Sequence, residues 1–158
     1  MAQLKEANRR VAEAAASAGL DIEIVIMGKS TRTAEEAAAA CGCAVGQIVK
    51  SLIFAGRNSK SALLLLVSGA NRVDEEKVAA DIGEPLERPN AAYVREVTGF
   101  AIGGVPPLGH VKQLTVLFDR DLLKHARVWA AAGTPESVFA VIPSRLAHAT
   151  GARVIDLT

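Results

Sequence analysis

The sequence has few aromatic residues and almost no net charge, and each shortage argues against a class of function. Phenylalanine, tryptophan and tyrosine make up only 4% of its 158 residues, which disfavours a sheet that stacks the bases of an RNA strand. Lysine plus arginine exceed aspartate plus glutamate by 18 to 17, giving a formal net charge of +1. This charge is too small for unspecific capture of nucleic acid. Any contact with RNA must therefore be local, and no DNA partner is expected.

Cysteines and long apolar runs are also scarce. The sequence has two cysteines, Cys41 and Cys43, and no second Cys/His pair with ligand spacing, so we expect neither a disulfide framework nor a metal site. The longest apolar runs, residues 62–67 and 114–118, fall far short of the roughly 20 residues of a membrane-spanning helix. The amino terminus has a charged helical pattern and no basic-then-apolar leader. We therefore expect a cytoplasmic protein without membrane contact.

Hydrophobic periodicity predicts a single α+β domain over residues 1–158. Helical patterns occupy residues 3–18 (the N-terminal helix, within residues 1–20), 33–42, 74–82, 90–97, 120–124 and 144–150, and several start at a capping residue or end at a glycine. Strand patterns occupy residues 22–26, 62–67, 113–118, 127–132, 137–142 and 152–157. Residues 47–54 indicate a turn of helix that runs into a strand ending near residues 55–56, and this second strand forms a plausible antiparallel hairpin with the third, at 62–67. Regular strand-helix alternation, a P-loop and a dinucleotide glycine pattern are all missing. We expect a strongly curved, mostly antiparallel sheet.

A loop with three glycines and two prolines in eight residues runs from Gly103 to His110. Alone, such a segment is typical of a rigid turn. Glycine also lets a ligand approach the main chain, and proline fixes the backbone while removing its own N–H. The amides of Gly103, Gly104 and Val105 are therefore candidates to face a carbonyl or phosphate oxygen. His110 either transfers a proton near neutral pH or is a hydrogen-bonded loop residue.

Lys50 interrupts the apolar run of the second strand. Alternation along a strand allows a solvated lysine. In a cleft, by contrast, its ammonium would hold a phosphate or polarise an ester carbonyl, and desolvation would make its amine easier to deprotonate. The sequence has neither a G-x-S-x-G elbow nor a Ser-His-Asp order, so a serine hydrolase has little support.

Taken together, four segments favour a functional role for Lys50 and for the loop from Gly103 to His110. The segments are residues 31–38, 49–54, 99–110 and 132–139. In this order and at these separations they resemble the YbaK/prolyl-tRNA-editing domain family, the freestanding relatives of the insertion domain of bacterial prolyl-tRNA synthetases. The resemblance extends from about residue 31 to residue 156. It implies a curved, partly barrel-like sheet wrapped by helices, and it implies hydrolysis of the ester bond of mischarged aminoacyl-tRNA.

The resemblance also assigns roles to residues. Lys50 matches the near-invariant lysine of the family, which implies that it holds the terminal adenosine or the ester region. Gly103 to Pro107 match the G-x-x-x-P loop, which implies that the amides of Gly103, Gly104 and Val105 orient the aminoacyl carbonyl. The expected catalytic set is Lys50 with these three loop residues, and the expected substrate-binding positions are Thr33, Pro107, His110, Gly133 and Thr134.

The mechanism implied by these residues has no covalent enzyme intermediate, because none of them is an obvious nucleophile. We expect deacylation by a positioned water or, as the family resemblance implies, with help from the neighbouring ribose hydroxyl of the tRNA, and without a cofactor. The expected substrates carry a small aminoacyl group such as alanyl, seryl, threonyl or cysteinyl. Partners would be the aminoacyl-tRNA and prolyl-tRNA synthetase or another synthetase.

Two alternatives stay open at the level of sequence. One is a non-catalytic module that binds the acceptor end of a tRNA, or a synthetase, without hydrolysis. The other is a redox or metal protein that uses Cys41 and Cys43, although small buried cysteines at a helix end explain this pair better.

Overall fold

A computed structural model describes residues 4–158, and in this range the chain forms five α-helices and eight β-strands. The helices are α1 (Glu6–Ser17), α2 (Ala34–Cys41), α3 (Glu75–Ile82), α4 (Ala91–Thr98) and α5 (Pro143–Thr150). The strands are β1 (Ile24–Ile26), β2 (Ile48–Gly56), β3 (Ala62–Ser68), β4 (Leu86–Glu87), β5 (Thr115–Asp119), β6 (Val128–Ala131), β7 (Ser137–Val141) and β8 (Arg153–Ile155). Short 3₁₀ turns cover Val45–Gln47 and Arg120–Lys124.

Most predicted elements are confirmed within a few residues of their expected ends. The predicted first helix begins at Glu6, and the position of Gln3 lies outside the described residues. Strand β4 was missed, because two residues are too few to show a period. None of the helices in residues 4–158 has the length and apolarity that crossing a lipid bilayer requires.

The eight strands form one mixed sheet with the order β1-β7-β6-β2-β3-β5-β8, and β4 pairs with β2 outside this path. The pairs β1–β7, β2–β3, β2–β4 and β6–β7 are antiparallel. The pairs β2–β6, β3–β5 and β5–β8 are parallel. The α+β prediction is therefore confirmed, with a larger parallel share than expected. Parallel neighbours need long connections, and the segment between β3 and β5 supplies one through α3, β4 and α4.

Strand β3 lies inside the sheet, between β2 and β5, and is buried on both faces. Leu64 and Leu66 pack into one core cluster with Phe118, and Leu65 and Val67 pack into a second cluster on the opposite face. This arrangement explains its continuous apolar run, because a strand that is covered on both sides needs no polar alternation. This buried strand pairs along its length with its hairpin partner β2, which carries Lys50.

Helix α2 begins where the sequence predicts, at a capping box. The Thr33 hydroxyl accepts a hydrogen bond from the Glu36 amide at 3.1 Å, and the Glu36 carboxylate accepts one from the Thr33 amide at 3.1 Å. The helix ends at Gly42, whose φ of 68° is left-handed. The cap fixes the segment just before α2 beside the middle of strand β2.

Helix α1 supports two loops that approach this region of the sheet. The buried Asn8 side chain donates hydrogen bonds to the Ala132 carbonyl at 2.7 Å and to the Ser137 hydroxyl at 2.9 Å. Arg10 donates to the Gly99 carbonyl at 2.9 Å, and its guanidinium lies 4.3 Å from the centre of the Phe100 ring. The first pair of contacts fixes the loop after β6, and the second fixes the residues just before the loop from Gly103 to His110, which we call the glycine-proline loop.

Candidate active site

Two adjoining cavities open beside Lys50. One has a volume of about 220 Å³ and lies between β2, β6 and the segment before α2. The other has a volume of about 320 Å³ and extends toward Arg72 and Arg88. Both cavities are lined by residues 50–52 of β2 and by Ile102, Gly103 and Val105 of the glycine-proline loop. The strand and the loop therefore form one divided cleft.

Lys50 lines this cleft and is half-buried. The structure therefore favours a lysine held in a cleft over a fully solvated one. Its Nζ donates a hydrogen bond to the Asn71 carbonyl at 2.5 Å. Burial is the main cause that lowers the pKa of the Lys50 ammonium, and the positive charge of Arg72 lowers it further. The negative charges of Glu35 and Asp119 partly counteract this decrease. The cation is thus held at a fixed point between charges of both signs.

The glycine-proline loop begins with a tight turn that changes the predicted set of amide donors. The Gly104 amide donates to the Ala101 carbonyl at 3.1 Å, and Gly103 has a φ of 95° at the turn position that favours glycine. Gly104 was expected to offer its N–H to a substrate, but the turn already uses it. Within residues 4–158, the amides of Gly103 and Val105 make no hydrogen bond to the protein.

A backbone contact at Gly104 and the left-handed conformation of Gly103 explain why the loop contains adjacent glycines. A Cβ on Gly104 would lie 2.8 Å from the Thr134 Cα, so the backbones of the two loops touch. A Cβ on Gly103 would lie 2.9 Å from the Nε of Arg32, which lines the 220 Å³ cavity. Arg32 is exposed and lies against the loop at the edge of this cavity.

The structure brings only part of the predicted substrate-binding set into the cleft. Thr33 lines the smaller cavity, although its hydroxyl caps α2. Pro107, His110, Gly133 and Thr134 line neither cavity. These four residues instead shape the two loops that surround the cleft.

His110 holds the far end of the glycine-proline loop. Its Nε2–H donates to the Pro106 carbonyl at 2.7 Å, and its ring meets the Phe100 ring edge-on at 6.4 Å between centroids. Burial lowers the pKa of His110, which favours the neutral imidazole. Its geometry therefore matches the hydrogen-bonded loop histidine rather than a proton donor to substrate.

Gly133 and Thr134 form the neighbouring turn. Gly133 has a φ of 102°, and a Cβ there would lie 2.8 Å from the Ala7 carbonyl oxygen of α1. The Thr134 and Ser137 hydroxyls share a hydrogen bond of 2.6 Å. The turn is therefore packed against α1 on one side and against Gly104 on the other.

The cleft also contains residues that the sequence did not single out. The smaller cavity is lined by Thr31, Arg32, Ser51 and Trp129, and the larger one by Arg72 and Arg88. Among the described residues, only the Ser51 hydroxyl is a buried side-chain polar atom without a hydrogen-bond partner. Position next to Lys50 is the one sequence signal that could have identified Ser51.

The cysteines lie apart from this cleft and have the properties of unreactive thiols. Both are free and partly buried. Burial, with a smaller contribution from Cys43, raises the pKa of Cys41 to about 11, and burial also raises the pKa of Cys43. The thiolate is the reactive form, so neither residue is activated for nucleophilic or redox chemistry. Residues 4–158 contain no group of three or more His, Cys, Asp or Glu side chains arranged to hold a metal.

These features define a class of protein. A mixed sheet carries a partly desolvated lysine, a loop with unengaged amides lies across from it, and small apolar residues complete the walls. Such a cleft is suited to a ligand with a carbonyl or phosphate oxygen, whose negative charge the ammonium and the amides stabilise.

Comparison with known proteins identifies the family within this class. The chain belongs to the aminoacyl-tRNA editing domain family, whose model matches residues 28–149. This range contains Lys50, the glycine-proline loop and the Gly133 turn. The resemblance drawn from the four sequence segments is therefore confirmed.

Individual relatives agree with this assignment. The chain is 30% identical over 125 residues to the "Uncharacterized protein YwhH" of Bacillus subtilis (strain 168), covering 79% of both proteins. It is 23% identical over 127 residues to the "Putative Cys-tRNA(Pro)/Cys-tRNA(Cys) deacylase EbsC" of Enterococcus faecalis, covering 80% of this chain and 77% of the relative. A solved structure described as "a putative trans-editing enzyme for prolyl tRNA synthetase" has 49% identity and a TM-score of 0.93, with 99% of each chain covered.

Proposed function

We propose that this chain is a trans-editing hydrolase that deacylates mischarged aminoacyl-tRNA carrying a small aminoacyl group. Family membership supports the substrate class. The observation that carries the proposal is that Lys50 lines both cavities together with Gly103 and Val105, whose amides make no hydrogen bond to the described protein. An ester bond lying beside these residues would have one substituent in each cavity.

The two cavities differ in a way that suits the two halves of such an ester. The lining of the smaller cavity includes the short side chains of Ala34, Ala37 and Ala130, which leave room for an alanyl, seryl, threonyl or cysteinyl group. The larger cavity is flanked by Arg72 and Arg88, which suit the terminal adenosine and its phosphate. In this arrangement the scissile carbonyl lies beside Lys50 and the loop amides.

The hydrolysis we propose needs no covalent enzyme intermediate. A water molecule, oriented directly or through the neighbouring ribose hydroxyl, attacks the ester carbonyl carbon. Negative charge develops on the carbonyl oxygen, and the amides of Gly103 and Val105 with the Lys50 ammonium stabilise it. The bond to the ribose oxygen then breaks, and this oxygen takes up the proton released by the attacking water. The products are the free amino acid and the tRNA.

Specificity in this cleft comes from cavity size more than from polar contacts. One methylene group changes binding in an apolar pocket by only about 1–3 kcal/mol, so several small aminoacyl groups would be accepted. Discrimination against correctly charged tRNA would then require recognition of the tRNA or of a synthetase, with prolyl-tRNA synthetase as the first candidate. The reaction would take place in the cytoplasm, where these tRNAs are charged.

A deacylation panel tests this proposal. Purified protein is incubated with Ala-, Ser-, Thr- and Cys-tRNA(Pro) and with Pro-tRNA(Pro), and ester loss is compared with that of a sample without protein. We expect accelerated loss of at least one small aminoacyl group and little loss of proline. Saturable binding without ester loss would contradict hydrolysis and favour the non-catalytic module.

A further inference from the structure

We propose that Asp119 and Asn71 are positioning residues that hold Lys50 at its place in the cleft. The inference rests on the proposed role of Lys50 in deacylation. Neither Asp119 nor Asn71 lines either cavity, so both would act through Lys50 and not on the substrate.

Asp119 is an unusual residue for its location. It ends strand β5, is only 1% exposed, and is the only buried carboxylate in residues 4–158. Burying an ionised carboxylate is costly unless it is hydrogen-bonded. Three donors meet this need: the Ser68 amide at 3.0 Å, the Asn71 side-chain amide at 2.8 Å and the Asp121 amide at 2.9 Å.

Two of these donors belong to the turn that follows strand β3. The Asn71 backbone amide donates to the Ser68 carbonyl at 2.9 Å, which closes the turn. Asp119 accepts from both ends of it, through the Ser68 amide and the Asn71 side chain. Asp121 accepts a further hydrogen bond from the Asn71 side chain at 2.8 Å. The turn is thereby attached to the end of β5.

This attached turn provides the acceptor for Lys50. The Asn71 carbonyl accepts the hydrogen bond from the Lys50 Nζ at 2.5 Å. A lysine side chain is a flexible four-carbon stem that ends in a compact charge, so its position depends on what holds its tip. The buried Asp119 carboxylate therefore holds the Asn71 side chain, and the Asn71 carbonyl in turn holds the Lys50 ammonium.

The negative charge of Asp119 also acts on Lys50 directly. The charged groups that influence Lys50 are Glu35 on α2, Arg72 after β3 and Asp119 on β5. Asp119 favours the charged form of Lys50 and counteracts the effects of burial and of Arg72. The same carboxylate thus contributes to both the position and the charge of the lysine.

Lysine NMR tests the link without any need for activity. Lysine is labelled with ¹³C at Cε, and the Lys50 signal is assigned by its loss in Lys50→Arg. In Asp119→Asn we expect the Lys50 signal to move and its pKa to fall. Asp81→Asn is the control, because Asp81 forms an exposed ion pair with Arg153, and it should leave the Lys50 signal in place.

A second variant covers the case in which Asp119→Asn does not fold. Asn71→Ala keeps the backbone carbonyl and leaves the Asp119 carboxylate two amide donors, so we expect a folded protein with a displaced Lys50 signal. Thermal unfolding confirms the folded state of each variant. An unchanged Lys50 signal and pKa in the folded variants would overturn the proposal.

Kinetics then separate a positioning role from a general loss of stability. Each variant should lower kcat/KM of deacylation by about 10-fold to 100-fold, because small displacements of a reacting group have effects of this size. In a Lys50→Ala background, the same substitutions should cause no further loss, whereas a purely structural effect would persist. A wild-type protein without deacylase activity would refute the proposed function, and the NMR result would still decide the positioning.

Discussion

The contact between the two loops yields a sharp prediction for Gly104→Ala. The new Cβ would lie 2.8 Å from both the Cα and the carbonyl carbon of Thr134, and 2.9 Å from its amide nitrogen. These are backbone atoms, so no side-chain rotation relieves the overlap, and one loop must move. Overpacking of this kind costs about 1–3 kcal/mol, against a gain of about 0.4–1 kcal/mol when a compatible glycine becomes alanine. We expect a net loss of roughly 1–2 kcal/mol in the free energy of unfolding.

The functional effect of Gly104→Ala should exceed its effect on stability. Movement of the loop displaces the amides of Gly103 and Val105, and misplacement by about 1 Å lowers rates by roughly 100-fold. Urea denaturation measures the stability, and single-turnover deacylation under conditions where the variant is folded measures the rate.

A matched glycine variant provides the control. A Cβ on Gly46 would have no neighbour nearer than 3.4 Å, the distance to the His125 Nε2, and its φ is not left-handed. Gly46→Ala should therefore gain about 0.4–1 kcal/mol and keep the deacylation rate. Equal stability and equal rates in the two variants would show that the backbone contact between Gly104 and Thr134 does not constrain the loop.

Single groups in and near the cleft should each have a distinct, measurable effect. Ser51→Ala removes a buried hydroxyl without a partner, so urea denaturation should show unchanged or slightly increased stability; a loss above about 1 kcal/mol would indicate a hidden partner. His110→Asn retains a hydrogen-bond donor and should keep the deacylation rate within a few-fold, whereas a complete loss of rate at unchanged thermal stability would contradict this structural role. Because burial lowers the pKa of Lys50 below 10.5, deacylation corrected for spontaneous hydrolysis should fall as the pH rises through that lowered pKa; a rate that stays constant up to pH 10.5 would show that the ammonium is not needed.

The sequence predicts local elements of this fold well and long-range pairings poorly. The β2–β3 hairpin follows from two apolar runs with a polar turn between them, and the start of α2 follows from its capping box at Thr33. The parallel pairs β2–β6 and β3–β5 join segments that are far apart in the chain. No local period encodes such a pairing, and this is why the parallel share of the sheet was underestimated.

In the candidate site, too, local motifs could be predicted from the sequence and long-range contacts could not. Lys50 and the glycine-proline loop could be identified from the sequence because both match sequence motifs of the family. Trp129 and Asp119 come from strands whose pairing had to be known first. The engaged amide of Gly104 depends on one turn hydrogen bond, a feature that spacing alone does not reveal.

In the mechanism we propose, Lys50 and the loop amides promote hydrolysis of the aminoacyl ester. Single-turnover deacylation by wild type, Lys50→Ala and Lys77→Ala tests it most directly, because Lys77 is a lysine on α3 that lines neither cavity. We predict rapid ester loss with wild type and Lys77→Ala, and a rate about 100-fold to 1,000-fold lower with Lys50→Ala, the usual effect of removing one oxyanion-stabilising group. Equal rates for all three proteins, or wild-type binding without ester loss, would contradict the account.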